Sequence, residues 1–117
     1  MSEVYGEMVA ALAKDGNAIL EEMTPKKAHL LHMMMGISGE AGETLDAIKK
    51  HVIYNKPLDI DHLIEELGDI EFYMEGLRQG LGLNRDLILL RNSDKLHKRY
   101  SEGTYSDKAA TTRADKA

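Results

Sequence analysis

Between Asp59 and Gly80 the apolar residues Leu63, Leu67, Ile70, Met74 and Leu77 recur at alternating intervals of four and three. Only an α-helix gathers that spacing into one continuous stripe, and helices pack in bundles by such stripes. The same logic extends along the chain. Thr24 is a good N-cap and Pro25 suits the first helical position, so a helix is expected from there to about Val52. Its seam reads Leu30, Met34, Ile37, Ala41, Leu45, Ile48 and Val52. Tyr54-Asn55-Lys56-Pro57 carries turn chemistry, after which Asp59 or Asp61 caps the next helix. Gly80-Leu81-Gly82 stops that helix, and Asn84, with Asp86 in the first turn, opens another through about Tyr100. At the start of the chain Ser2 can cap a helix carrying Tyr5, Met8, Leu12 and Ile19 to about Met23. No segment alternates as a strand does. The expectation is an all-α fold of four helices.

A chain of 117 residues supports one domain with one modest core. That domain is expected over residues 1–101. Residues 102–117, rich in Ser, Thr, Asp, Lys and Ala with no apolar period, read as a mobile polar tail. The net charge of -5 argues against a general nucleic-acid binder that works by neutralising phosphates. The lack of cysteine excludes disulfides, thiol nucleophiles, zinc fingers and iron–sulfur clusters, and it fits a reducing cytoplasm. Charge interrupts every apolar stretch and the first residues lack a basic-then-apolar leader, so neither a membrane span nor classical secretion is expected.

Two short patterns carry chemistry: Glu40-Ala41-Gly42-Glu43 on the second expected helix and Glu66-Leu67-Gly68-Asp69 on the third. Side chains three apart lie on neighbouring parts of one helix face, so each pair can aim at one point. Each pair also flanks the apolar stripe of its own helix. If the helices pack through those stripes, Glu40, Glu43, Glu66 and Asp69 converge at the edge of a buried interface, where like charges repel and a cation is needed. For an all-oxygen cluster without cysteine the fitting ions are Mg²⁺ and Mn²⁺. Gly36, Gly39, Gly42 and Gly68 fall inside the same helices, each about 1 kcal/mol less favourable there than Ala. Close helix packing or the approach of a ligand would account for them.

Charge is segregated. Asp59, Asp61, Glu65, Glu66, Asp69, Glu71 and Glu75 make the third helix acidic, whereas Arg85, Arg91, Lys95, Lys98 and Arg99 make the fourth basic. Interhelix pairing accounts for part of this. Asn92, Lys95 and Arg99, spaced i, i+3 and i+7, also form one donor stripe that suits phosphates. His29 and His32 lack a third soft ligand at suitable spacing and read as structural or exposed, as do His51, His62 and His97. A carboxylate-bridged di-iron site wants Glu-x-x-His on two helices, and only Asp59-x-x-His62 and Asp94-x-x-His97 occur, with Asp59 a cap. Met33-Met34-Met35 reads as adaptable core packing.

The order Glu-x-x-Glu, 22 intervening residues, Glu-x-x-Asp and then Asn-x-x-Lys-x-x-x-Arg-Tyr resembles the MazG-like all-α nucleoside triphosphate pyrophosphohydrolases, from about Leu30 to Tyr100. The resemblance implies Mg²⁺ ligands and catalytic roles for Glu40, Glu43, Glu66 and Asp69. It implies substrate contacts for Tyr73, one turn beyond the last acid, and for Asn92 and Lys95, with Arg99 beside them. Lys50, on the stripe of Glu40 and Glu43, is a further candidate for the triphosphate. The implied reaction is hydrolysis of a nucleoside or deoxynucleoside triphosphate to monophosphate and pyrophosphate by water attack at the α-phosphorus. The implied architecture is a four-helix MazG-like bundle completed by oligomerisation, as a homodimer or dimer of dimers. Ser101 departs from the family, which often has Pro after the terminal Arg-Tyr. Two other readings stand beside this one: a related phosphoanhydride hydrolase acting on phosphoribosyl-ATP or an alarmone, and a non-catalytic dimeric helical module that binds a partner by its acidic face.

Overall fold

The computed structural model describes residues 1–116; Ala117, the end of the expected tail, lies outside the described residues. Among these residues the chain is helical and contains no strand, as expected of an all-α fold. The elements are α1 (Ser2–Leu12), α2 (Gly16–Glu22), α3 (Pro25–Val52), α4 (Ile60–Leu81), α5 (Arg85–Arg99), α6 (Asp107–Thr112) and a closing 3-10 turn (Ala114–Lys116). No helix of the described residues is long and apolar enough to cross a membrane.

Cap chemistry sets the three long helices. The Thr24 hydroxyl accepts from the Lys27 N–H at 3.1 Å, Asp59 accepts from the His62 N–H at 3.1 Å, and Asn84 accepts from the Asp86 N–H at 2.7 Å. Gly82 closes α4 in the left-handed region at φ 66, which only glycine adopts without strain. The start of the chain departs from expectation in two ways. The first helix is broken into α1 and α2, because Asp15 and Gly16 are poor mid-helix residues and Asp15 takes an extended N-cap conformation instead. Ser2 is the first helical residue rather than the cap, a position held by Met1. The stretch read as a polar tail carries α6, capped by Ser106, and its 3-10 turn lies against α5.

The extensive tertiary pairing is an antiparallel hairpin of α3 and α4. His29 faces Gly80, Met33 faces Gly76 and the Tyr73 ring faces Gly36. His29 Nε2–H donates to the Gly76 carbonyl at 2.8 Å. The inward face is therefore only in part the expected apolar seam: Leu30, Ile37, Leu63, Ile70 and Leu77 are half-buried, and Leu30 reaches Gly80. Met34, Leu45, Val52 and Leu67 point outward and are exposed, while Met33, Gly36, Glu40, Glu66 and Tyr73 lie inward. The apolar period misses Gly36, Glu40 and Glu66 because glycine and glutamate, which share this contact, carry no apolar signal. Met33, 6% exposed, is the one buried apolar residue among the described residues. The radius of gyration is 20.2 Å, against about 13 Å for a compact chain of this size.

Close approach at Gly36 makes a testable contrast. A methyl group there would collide with the Tyr73 ring, whereas at Gly39 it would meet nothing within 4 Å. Gly36→Ala is expected to lower the thermal midpoint despite better helix propensity, since overpacking typically costs about 1–3 kcal/mol. Gly39→Ala is expected to raise it by the equivalent of about 1 kcal/mol. Parallel thermal melts check the pair, and equal shifts would refute the assigned packing.

Candidate metal centre

Glu40 and Glu43 project from the middle of α3, and Glu66 from the second turn of α4. One carboxylate oxygen of each lies within 4.8 Å of the other two. Glu66 is only 7% exposed, Glu40 is half-buried and Glu43 is exposed. The cluster thus extends from inside the helix contact to the solvent, rather than sitting wholly at its edge. Glu40 Oε2 and Glu66 Oε2 are buried and have no hydrogen-bond partner. Buried carboxylate oxygens are costly without a donor or a cation.

The electrostatics follow from that crowding. The adjacent Glu40 carboxyl raises the Glu66 pKa most, burial and the Glu43 carboxylate add to it, and together they push it up from 4.5 to about 7. His62, one helical turn before Glu66, places Nε2 3.7 Å from a Glu66 oxygen. No Lys or Arg pairs with any of the three carboxylates among the described residues. An all-oxygen set with two orphaned oxygens fits a hard divalent cation such as Mg²⁺ or Mn²⁺.

A cleft of about 690 Å³, in the usual range of ligand pockets, opens beside the cluster. Its walls include Gly42, Glu43, Lys50, Lys56 and His62. Of the other expected site residues, Asp69 lies one turn beyond Glu66, exposed and outside the set of converging oxygens. Tyr73 is half-buried, its ring against Gly36 and edge-on to Phe72 and His32. Lys50 lines the cleft and pairs with Asp46 at 3.0 Å. Asn92, Lys95 and Arg99 are not brought to the carboxylates, since α5 packs on α6 and the 3-10 turn instead. Arg99 donates from Nε at 2.8 Å and from Nη2 at 3.2 Å to Asp115, whose side chain is almost fully buried.

Sequence reasoning missed Lys56 and His62. Lys56 sat in a segment read only as a turn. His62 reads from the sequence as structural or exposed, paired only with Asp59, whereas its four-residue spacing to Glu66 is the available signal.

Against known families, the profile of the MazG nucleotide pyrophosphohydrolase domain matches residues 28–103. The chain belongs to the MazG nucleotide pyrophosphohydrolase family. Comparison with curated proteins and with solved structures gave no match. The MazG match contains the three converging carboxylates, Asp69 and all of α5, and it ends before α6 and Asp115. The acidic cluster of the hairpin therefore lies in the MazG domain itself.

The raised Glu66 pKa has a defined sign in the metal-free protein. The folded state holds a proton on Glu66 up to about pH 7, whereas the unfolded chain releases it near 4.5. The stability due to that proton is fully present below about pH 4.5 and lost as pH rises through about 7. In EDTA the melting temperature of the wild type relative to Glu66→Gln is therefore expected to fall over that interval. Mg²⁺ displaces the proton, so its stabilising effect is expected to grow with pH over the same interval. A flat difference between the two proteins across that interval would refute this assignment.

Proposed function

We propose that this chain is a Mg²⁺-dependent nucleoside triphosphate pyrophosphohydrolase. Water attacks the α-phosphorus, the bond from that phosphorus to the bridging oxygen breaks, and nucleoside monophosphate and pyrophosphate are released. The observation that carries the reading is the pair of buried, unpartnered oxygens on Glu40 and Glu66 beside Glu43, in a chain of the MazG family. Glu40, Glu43 and Glu66 would hold the ion, with Asp69 as a further oxygen ligand and Mn²⁺ as a substitute. The ion would neutralise phosphate charge and lower the pKa of the attacking water. A carboxylate of the cluster not committed to the ion takes the water's proton, and Tyr73 bounds the site one turn further along α4.

The phosphates need cations. Lys50 lies in the cleft already. Asn92 and Lys95 stand on α5, which does not pack against α3 or α4 in its own chain. We assign them to the site of a second copy, making the working unit a homodimer or a dimer of dimers. Exposed Leu45, Leu67, Phe72, Leu87, Leu89 and Leu90 supply apolar surface for that assembly, too much for a stable monomer to leave bare. Arg99 joins the phosphate site by exchanging Asp115 for a phosphate oxygen. The setting that fits these substrates and the cysteine-free sequence is the cytoplasm.

Two measurements test this reading. Purified protein with Mg²⁺ and a panel of ribo- and deoxyribonucleoside triphosphates is expected to give monophosphate and pyrophosphate on anion-exchange chromatography. Glu66→Gln is expected to lose at least about 100-fold in kcat/KM, with its helix content by circular dichroism intact. Diphosphate with orthophosphate, or substantial turnover in Glu66→Gln, would overturn the assignment. Sedimentation equilibrium at micromolar protein is expected to give an even-numbered assembly, and a persistent monomer would remove the second copy from the site.

A further inference from the structure

We infer that Lys56, on the loop joining α3 to α4, holds the terminal phosphates of the substrate, the part that leaves as pyrophosphate; this rests on the pyrophosphohydrolase reading above. The cleft beside the carboxylates has three acidic and two basic residues in its walls: Glu43, Asp46 and Asp59, and Lys50 and Lys56. Two of the acids are already engaged. Asp46 pairs with Lys50 at 3.0 Å, and Asp59 caps α4 by accepting from the His62 N–H. Glu43 belongs to the metal cluster. Lys56 is left as the one cation of the cleft with no carboxylate within 4.0 Å among the described residues.

The loop fixes where that cation stands. Asn55 takes a left-handed conformation at φ 53, which turns the chain sharply after α3. The Lys56 N–H then donates to the Lys50 carbonyl at 3.1 Å, and His51 Nδ1–H donates to the Lys56 carbonyl at 2.7 Å. Both backbone polar groups of Lys56 are thereby satisfied by the end of α3, and Pro57 restricts the backbone of Lys56 before it. A lysine on a tethered backbone with a free side chain suits a polyphosphate, to which ammonium binds as a mobile point charge. The α3 wall of the cleft is bare at Gly39 and Gly42, where an added Cβ would meet nothing within 4 Å. A flat wall, a carboxylate cluster at one end and an unpaired ammonium at the other match a metal-bound polyphosphate lying along the cleft.

The test compares wild type, Lys56→Gln, Lys56→Arg and, as a remote charge control, Lys108→Gln, with the accepted triphosphate and Mg²⁺. Lys56→Gln is expected to raise KM for the triphosphate and the inhibition constant of pyrophosphate by about tenfold each, the loss of one charge-assisted contact. Its kcat is expected to stay within about threefold, because the contact is made in ground and transition states alike. Lys56→Arg should restore most of both constants, and Lys108→Gln should change neither. Calorimetry of pyrophosphate binding to the Mg²⁺-loaded proteins should show the same tenfold weakening without reference to turnover. An active wild type with unchanged KM, inhibition constant and pyrophosphate affinity in Lys56→Gln would overturn this inference and leave the reaction assignment standing. Equal weakening in Lys108→Gln would also overturn it, by showing a general charge effect. A wild type that releases no pyrophosphate from any triphosphate would overturn the reaction on which it rests.

Discussion

The carboxylates of Glu40 and Glu66 occupy the place in the α3–α4 contact where a helical hairpin ordinarily buries apolar side chains. Every other feature of the hairpin accommodates that substitution. A buried carboxylate must be protonated, paired with a cation or bound to a metal, because desolvation of an isolated charge is too costly. Further along α4 the chain solves the same problem by itself: buried Arg78 donates from Nε at 2.9 Å and from Nη2 at 2.7 Å to Glu75, whose pKa falls in consequence. Glu66 receives no such partner. Its nearest cationic group is an imidazole 3.7 Å away, and its neighbours Glu40 and Glu43 push its pKa up instead. Arg78 is thus neutralised within the chain, whereas Glu66 is left among like-charged neighbours with an unpartnered buried oxygen.

That arrangement also explains why so little of the hairpin is apolar. Close approach at Gly36 and Gly76 brings the two backbones near enough for carboxylates of both helices to meet, and bulky residues there would hold the helices apart. The apolar side chains that would otherwise make a core lie on the outer faces of α3, α4 and α5. One chain therefore mixes carboxylates with Met33 and half-buried Leu and Ile in its interior contact, and leaves much apolar surface outside. Residues beyond the MazG match act differently: Asp115 comes back to Arg99 and ties the last turn of the chain to α5. Arg99 is thus held by its own chain, with the Asp115 carboxyl kept below its usual range by the guanidinium beside it.

What was legible in the sequence were the groups that act locally. Thr24, Asp59, Gly82 and Asn84 each satisfy backbone groups within a few residues of themselves, so their roles follow from residue type alone. The spacing within Glu40-x-x-Glu43, and the helix carrying Glu66, placed three acids near one point for the same reason. The inward faces were legible only in part: Leu30, Ile37, Leu63, Ile70 and Leu77 follow the apolar period, whereas Met33, Gly36 and Glu40, which also meet α4, are not picked out by it. The Arg99–Asp115 pair spans sixteen residues and a segment of low apolar content, so no local rule connects its ends. Lys56 escaped notice because its placement depends on hydrogen bonds from His51 and to Lys50 across a turn, and turn chemistry specifies where the backbone bends without saying what its side chains then face.

Positions along α3 set the polarity of the site. From Glu43 to Lys50 is seven residues, a rise of about 10 Å at 1.5 Å per residue, and both residues line one cleft. The carboxylate end lies deep between the helices, and the cationic end lies at the open loop with Lys50 and Lys56. A free polyphosphate would be repelled by the first end and attracted by the second. A polyphosphate carrying a divalent cation is complementary to both, the metal toward Glu40, Glu43 and Glu66 and the terminal phosphates toward the lysines. Under the proposed function, the same fixed charges would select the metal complex over the bare anion and orient it along the helix.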